Sequence, residues 1–364
     1  MNSAAASRPG RRNAPLRAMP PILAGAAVIA LHYAAGDVSP WREAALALLI
    51  VPIAIAALGS GRRAWPLLLM APLALADDVF DAPASRVAAE AAIVALVMAV
   101  GWRLASLIDD ELAKGARMRA AMLQRLARLK SRTGYWQQVA LTQMGVYVTS
   151  VEEQFLDSVM RKRPGGLVLD VGAGGGRLEH VLSRHASRVI ATDIDRDEIY
   201  SMADHEGVTP AVVGPVPSLP VMTGVVNQVV VIEAPAASDE EWFREECARV
   251  LRPGGSVLLT VYNASSYKGL WTRISSRVRG EKAPAWAGLY YRMSLGEQLR
   301  RWTVAGFEPR KMRGFYWSPL PRSSESRWVA ASAALERLLG LRALIGVSPW
   351  VLVELRKVES LAGT

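Results

Sequence analysis

Between Gly166 and Leu178 the chain passes from a short apolar run, Gly-Leu-Val-Leu-Asp-Val, straight into Gly172-Ala-Gly-Gly-Gly-Arg-Leu. Helical spacing resumes from Glu179 to Arg184. An apolar run of this length that stops at glycines predicts a buried strand, a tight turn and then a helix. Glycines in such a turn leave the main chain bare, so that a ligand can approach it at the helix N-terminus. The nicotinamide and flavin fingerprint demands a third glycine where this chain has Arg177. What stands here instead is Gly172-x-Gly174-x-Gly176, preceded by Asp170.

Further strand patterns follow at Arg188–Thr192, Ala211–Val213, Gln228–Ile232 and Ser256–Val261, and again over 310–316 and 350–356. Their alternation with helical stretches predicts a parallel, doubly wound α/β sheet with a ligand at the carboxyl ends of its strands. Asp193 closes the second strand, where a carboxylate can accept both hydroxyls of a ribose. Asp195, with Glu198 three residues later, has the spacing of a helix N-cap and capping box.

Taken together, these elements resemble the class I S-adenosylmethionine-dependent methyltransferases. The likeness runs over about residues 134–358 and rests on Val-Leu-Asp-Val-Gly-Ala-Gly-Gly-Gly-Arg-Leu (168–178), Ala-Thr-Asp-Ile-Asp (191–195), Ser-Leu-Pro-Val (218–221), Leu-Arg-Pro-Gly-Gly (251–255), Tyr-Arg-Met-Ser-Leu-Gly-Glu-Gln-Leu (291–299) and Ala-Gly-Phe (305–307). The resemblance implies a Rossmann-like seven-stranded sheet with S-adenosyl-L-methionine as cofactor. It places the methionine end of that cofactor against Gly172, Ala173, Gly174 and Gly176, with Asp170 orienting the turn. It gives Asp193 the ribose, Ile194 the adenine, and Glu233 the border of the place where the methyl group is delivered. Tyr135-Trp136 and Tyr147 stand where many members carry an aromatic lid. Two positions depart from the pattern: Pro215 follows Gly214 where an acidic residue is usual, and Asn227 replaces an aspartate at the start of the fourth strand.

Little else in the chain offers chemistry. A single cysteine, Cys247, excludes an internal disulfide framework and a cysteine-ligated zinc site, and four histidines show no metal-ligand spacing. His180 and His185 fall in or beside the helix after the glycine turn, in packing or surface positions, and no residue is assigned as a catalytic base. A sulfonium methyl donor is itself a strong electrophile, so the protein's task is alignment and exclusion of water.

The first third has another character. Of 364 residues 51% are hydrophobic and 21% charged, which excludes a disordered chain. Four apolar segments precede the α/β part, Ala18–Ala35, Ala44–Gly59, Ala64–Ala76 and Val87–Leu107, the third being short. Arginines at 8–17, Arg62-Arg63 and the basic run beyond Arg103 alternate with acidic loops at Asp37 and Asp77–Asp81, as the positive-inside rule requires of two helical hairpins. About 20 apolar residues cross a bilayer. The expectation is an all-α transmembrane domain over 18–108 after a basic tail (1–17), a basic amphipathic connector helix over 109–133, the methyltransferase domain over 134–358, and a short tail (359–364). A cleaved leader, a buried soluble helical domain and two hairpins dipping into one leaflet are the alternatives for the apolar part.

The corresponding functional expectation is a multi-pass protein of the cell membrane with its catalytic domain facing the cytoplasm. It would methylate a hydrophobic, lipid-like small molecule, with the bilayer as partner and no nucleic acid. A non-catalytic cofactor-binding membrane module and an aminopropyltransferase are the rival readings. Aromatic and basic residues over 262–292, among them Tyr267, Trp271 and Arg273, suit an interfacial surface. Over Ser326–Leu341 the residues Trp328, Ala331, Leu335, Leu338 and Leu339 fall on one helical face.

Overall fold

The computed structural model describes residues 84–128, 135–202, 205–214, 217–279 and 289–358. The first three apolar segments, the basic tail, Pro215, Lys282 and Trp286 lie outside them. The chain divides into two compact units, Met1–Leu112 and Ala113–Thr364.

The fourth apolar segment lies in helix α1, Ala84–Arg128, which is 45 residues long and continues without a break into the expected connector. Among the described residues no helix is long and apolar enough to cross a membrane. The expected span Val87–Leu107 forms the first half of this helix, which runs on through Asp109 and Asp110, and Leu104, Ala105, Leu107 and Ile108 are buried. On the connector turns, Met118 and Met122 pack with Ala140, Leu141 and Val146.

The second unit is built on seven strands: β1 Leu167–Val171, β2 Arg188–Asp193, β3 Val208–Val212, β4 Val226–Val231, β5 Leu251–Tyr262, β6 Phe307–Phe315 and β7 Trp350–Lys357. Their order across the sheet is β3-β2-β1-β4-β5-β7-β6. The first five run parallel, whereas β7 pairs antiparallel with both β5 and β6. The third strand begins at Val208 rather than at Ala211. Gly207 (φ +76°) opens it, and Val189 N–H bonds to the Gly207 carbonyl, which registers Val208 rather than Ala211 beside Val189.

Strands buried on both faces need apolar side chains at successive positions, and the two faces carry separate cores. On one, Val168, Val230, Leu258 and Leu352 meet Val148, Phe155 and Leu156 of α3 (Gln143–Met160), which follows α2 (Tyr135–Leu141). On the other, Leu169, Val229, Val257 and Val353 meet Phe243 and Cys247 of helix Glu241–Val250 and Trp302 of helix Leu295–Val304. Before these helices in the chain come α4 (Glu179–His185), α5 (Arg196–Tyr200) and α6 (Pro235–Ser238); α7 spans Glu241–Val250, α8 Tyr267–Arg279, α9 Leu295–Val304 and α10 Trp328–Leu338. Thr142 caps α3 by accepting from Gly145 N–H, and Ser294 caps α9 by accepting from Glu297 N–H.

Two expectations about side chains change. On α10 the buried face is Val329, Ala330, Ala331, Ala333 and Ala334, while Trp328 and Leu339 are exposed. Glu336 sets this rotation. It is fully buried, its Oε2 accepts from the Tyr147 hydroxyl at 2.6 Å and from Trp317 N–H at 3.2 Å, and its Oε1 accepts from Arg342 at 2.6 Å. Tyr147 is thereby a core residue tying α3 to α10 and not part of a lid.

Candidate active site

At the carboxyl end of β1 the backbone turns left-handed at Gly172 (φ +76°), Gly174 (φ +52°) and Gly176 (φ +81°). These glycines serve different ends. A Cβ on Gly172 would stand 2.7 Å from the Ala234 Cβ, and one on Gly174 would stand 2.9 Å from Glu198 Oε2, so both keep main chain bare toward a cleft. A Cβ on Gly176 would instead stand 2.3 Å from Met202 Sδ, and Gly176 is not among the residues lining that cleft. Gln137 of α2 reaches over the turn and donates to the Gly175 carbonyl at 3.3 Å.

The cleft encloses about 620 Å³ along the carboxyl ends of β1, β2 and β4. Asp170, Gly172, Ala173, Gly174, Asp193, Ile194 and Glu233 all line it, together with Trp136, Val213, Gly214, Leu219, Trp242, Leu289 and Tyr290. Asp193 Oδ2 accepts from Gly174 N–H at 2.8 Å and Oδ1 from Asp195 N–H at 2.9 Å, which locks the glycine turn to the tip of β2. Each oxygen keeps a second lone pair for a further donor. Asp195 caps α5, accepting from Asp197 and Glu198 N–H. The Glu198 carboxylate lies in the cleft wall rather than folding back on Asp195 N–H, so the capping box is made from one side only. Burial, then Asp195 and Asp193, push the Glu198 carboxyl up.

Asp170 is buried, and desolvation together with the adjoining Glu179 carboxyl raises it well above the usual carboxylate range. Asn227 stands at the other end of the sheet, where its Oδ1 accepts from Leu167 N–H at 3.0 Å, and it does not line the cleft. His180 and His185 hold α4 against α3 through Glu153 (3.0 Å) and Asp157 (2.9 Å).

Beyond Ala173 the cleft meets four interlocked charged side chains. Arg177 bonds Thr149 at 2.9 Å, Glu152, and Glu233 Oε1 at 3.0 Å. Arg322, from the loop after β6, grips Glu233 with Nε at 3.2 Å and Nη2 at 2.9 Å. Burial alone would raise Glu233, but Arg322 and Arg177 outweigh it and hold the carboxyl at about 2. Glu152 is fully buried, and desolvation pushes it up to about 8 against the pull of Arg177. Glu233 adopts a left-handed backbone (φ +57°), an uncommon conformation for a residue with a side chain that costs about 1–3 kcal/mol. Sequence reasoning named Glu233 but missed Arg177, Glu152, Glu198 and Arg322. Arg177 was visible only as the residue displacing a fingerprint glycine, and Arg322 has no local signal, since 89 residues separate it from its partner.

Residues 169–259 match the profile of the methyltransferase domain. The chain carries a class I methyltransferase domain, and its cofactor is S-adenosylmethionine. Two ubiquinone biosynthesis O-methyltransferases are similar to it. One, from Leptothrix cholodnii, is 24% identical over 198 residues, which are 52% of this chain and 82% of that protein. The other, from Dechloromonas aromatica, is 25% identical over 177 residues, 43% of this chain and 71% of that protein. Among solved structures, an S-adenosylmethionine-dependent methyltransferase from Mesorhizobium loti superposes with a TM-score of 0.39 at 14% identity, covering 56% of this chain and 96% of its own. One from Aquifex aeolicus gives 0.37 at 15% identity, covering 58% and 98%.

The residues present fit that cofactor: bare main chain at Gly172 and Gly174 leaves room that a Cβ would fill, and carboxylates stand at both ends of the turn. When bound, S-adenosylmethionine supplies an electrophilic methyl group. The methyltransferase's own side chains then have three tasks. Asp193 would hold a ribose while fixing the turn; Ile194, 76% exposed at the cleft rim, would cover an adenine face; Gln137 and Trp136 of α2 would exclude water from above. Glu233, ionised and doubly paired, fixes one wall and is not free to take a proton.

Proposed function

We propose that this methyltransferase transfers a methyl group to a hydroxyl oxygen of a hydrophobic, quinol-like small molecule, and does so at the cytoplasmic face of the cell membrane. The observation that carries this reading is the composition of the cleft beyond Glu233. Ile232, Leu289 and Tyr290 wall it there, so an acceptor with a large apolar surface is favoured over a sugar, a nucleotide or a peptide. The names of the two similar O-methyltransferases support oxygen as the methylated atom and a quinone-related acceptor. The apolar segments before residue 84, with their basic flanks, support attachment to the bilayer, which would concentrate the enzyme near lipid-dissolved substrates.

The test is incubation of the full-length protein with methyl-labelled cofactor and separate lipid and aqueous cell extracts. Label is expected in the lipid-extractable fraction, and none with the Asp193→Ala variant. Label confined to water-soluble products would overturn the acceptor class. Recovery of the protein in the soluble fraction of lysed cells would overturn the location.

A further inference from the structure

Two carboxyl groups lie against each other beneath the glycine turn. Asp170 of β1 is buried and lines the cleft, whereas Glu179, the first residue of α4, is fully buried and does not. A Cβ on Gly176 would stand 3.3 Å from Glu179 Oε2, which sets this carboxyl behind the turn. Among the described residues neither Glu179 oxygen has a hydrogen-bond partner. The side chain within hydrogen-bonding reach of it is the carboxyl of Asp170. Two ionised carboxylates are acceptors only and repel each other, so they rest in contact only when one carries a proton and donates it to the other. The pair therefore holds a proton between its members.

The charged groups around the pair leave that proton in place. Asp170 is faced by Glu179 of α4, by Arg177 of the glycine turn and by Asp193 at the end of β2. Glu179 is faced by Asp170, by Arg177 and by the main-chain N–H groups of Leu178 and Glu179. Arg177 draws both carboxyls down, but its guanidinium bonds Thr149, Glu152 and Glu233 instead. On α3, which packs against α4, Glu152 is paired with Arg177 and Glu153 with His180. Burial outweighs these attractions and raises both members of the pair, Asp170 the more strongly. Among the described residues no lysine or histidine lines the cleft, and its two arginines, Arg177 and Arg322, are committed to Glu233. The cation that Asp170 lacks is one that S-adenosylmethionine carries, the ammonium at its methionine end.

We propose that Asp170 and Glu179 share one proton before the cofactor binds and surrender it when the cofactor's ammonium pairs with Asp170, Glu179 being the positioning residue for this exchange. The shared O–H bond breaks, the proton passes to bulk water, and the ammonium takes its place, so the charge at the pair is unchanged. No oxidant, reductant or methyl acceptor takes part. Because a proton leaves, cofactor binding tightens as pH rises toward the midpoint of the pair, which belongs to both groups together.

The experiment is calorimetric titration of the full-length protein with S-adenosylhomocysteine at about pH 7, where the ligand's amine is charged, repeated in buffers of different ionisation enthalpy to count protons. The wild type is expected to release about one proton per bound ligand, its affinity rising up to about tenfold per pH unit below the midpoint of the pair. Methylthioadenosine, which keeps the adenosine and lacks the ammonium, should release none. In Glu179→Gln an amide that does not titrate donates to Asp170, so the release should vanish and the pH dependence flatten. Equal proton counts for the two ligands, no release or an uptake with S-adenosylhomocysteine, an unchanged release in Glu179→Gln, or no binding to the wild type would each overturn the proposal. Should Glu179→Gln not fold, the comparison of the two ligands on the wild type decides.

Discussion

The carboxylate of Asp193 receives the main-chain N–H of Gly174 at 2.8 Å, so the side chain that would face a ribose also holds the turn that would face the methionine end of the cofactor. Removing it strikes both at once. Asp193→Ala is expected to weaken S-adenosylmethionine binding by about 10- to 100-fold, the range set by about 1.5–3 kcal/mol for a hydrogen bond to a charged group. Calorimetric titration checks this. Asp193→Asn, which keeps an acceptor oxygen for Gly174, should lose less.

Gly176 separates packing from binding. Its φ of +81° and the 2.3 Å approach of Met202 Sδ to an added Cβ predict that Gly176→Ala destabilises the fold by about 2–4 kcal/mol, strain and overpacking together. Gly214 has nothing within 4 Å of such a Cβ. Gly214→Ala should leave the melting temperature unchanged, although Gly214 lines the cleft. Thermal melts of the two variants test the contrast.

Glu152 gives a pH dependence with a definite sign. Its carboxyl is held at about 8 in the folded chain against 4.5 as a free group. Between those values the folded protein keeps a proton that the unfolded chain has lost, so this residue makes stability fall as pH rises across the window. Glu152→Gln is expected to flatten that decline. Melting temperatures at about pH 5 and about pH 8 should differ less in the variant than in the wild type.

Glu233 is the shared anion of two arginines. Glu233→Ala leaves both guanidinium groups largely buried without their common partner, and a loss of about 3–5 kcal/mol in unfolding free energy is expected. Urea denaturation measures it. The double variant Glu233→Ala/Arg322→Met, which removes one stranded charge as well, should recover part of the loss.

Much of the domain was legible from local pattern. Apolar runs ending in glycine or aspartate located β1 and β2, and the Asp195-x-x-Glu198 spacing located the start of α5. These features are written within a few residues of each other. What failed was long-range. The rotation of α10 is dictated by Glu336 bonding Tyr147, 189 residues away, and no periodicity within Trp328–Leu338 encodes that partner. Likewise Arg322 belongs to the cleft only because β6 and β7 return the chain there. In Val87–Leu107 apolar composition suits a bilayer and a protein interior equally, so the helix was legible there and its surroundings were not.

Strand β7 occupies the second place from one edge of the sheet and, among the described residues, is the one partner of β6. Only when β7 has joined does β5 acquire its outer neighbour and Trp350 close against Tyr262, Phe315 and Tyr316. A chain cut before Trp350 would carry the glycine turn intact on β1 to β5, yet expose two long unpaired strand edges. Such fragments should be insoluble rather than half-active, because β7 is the wedge that seals the sheet.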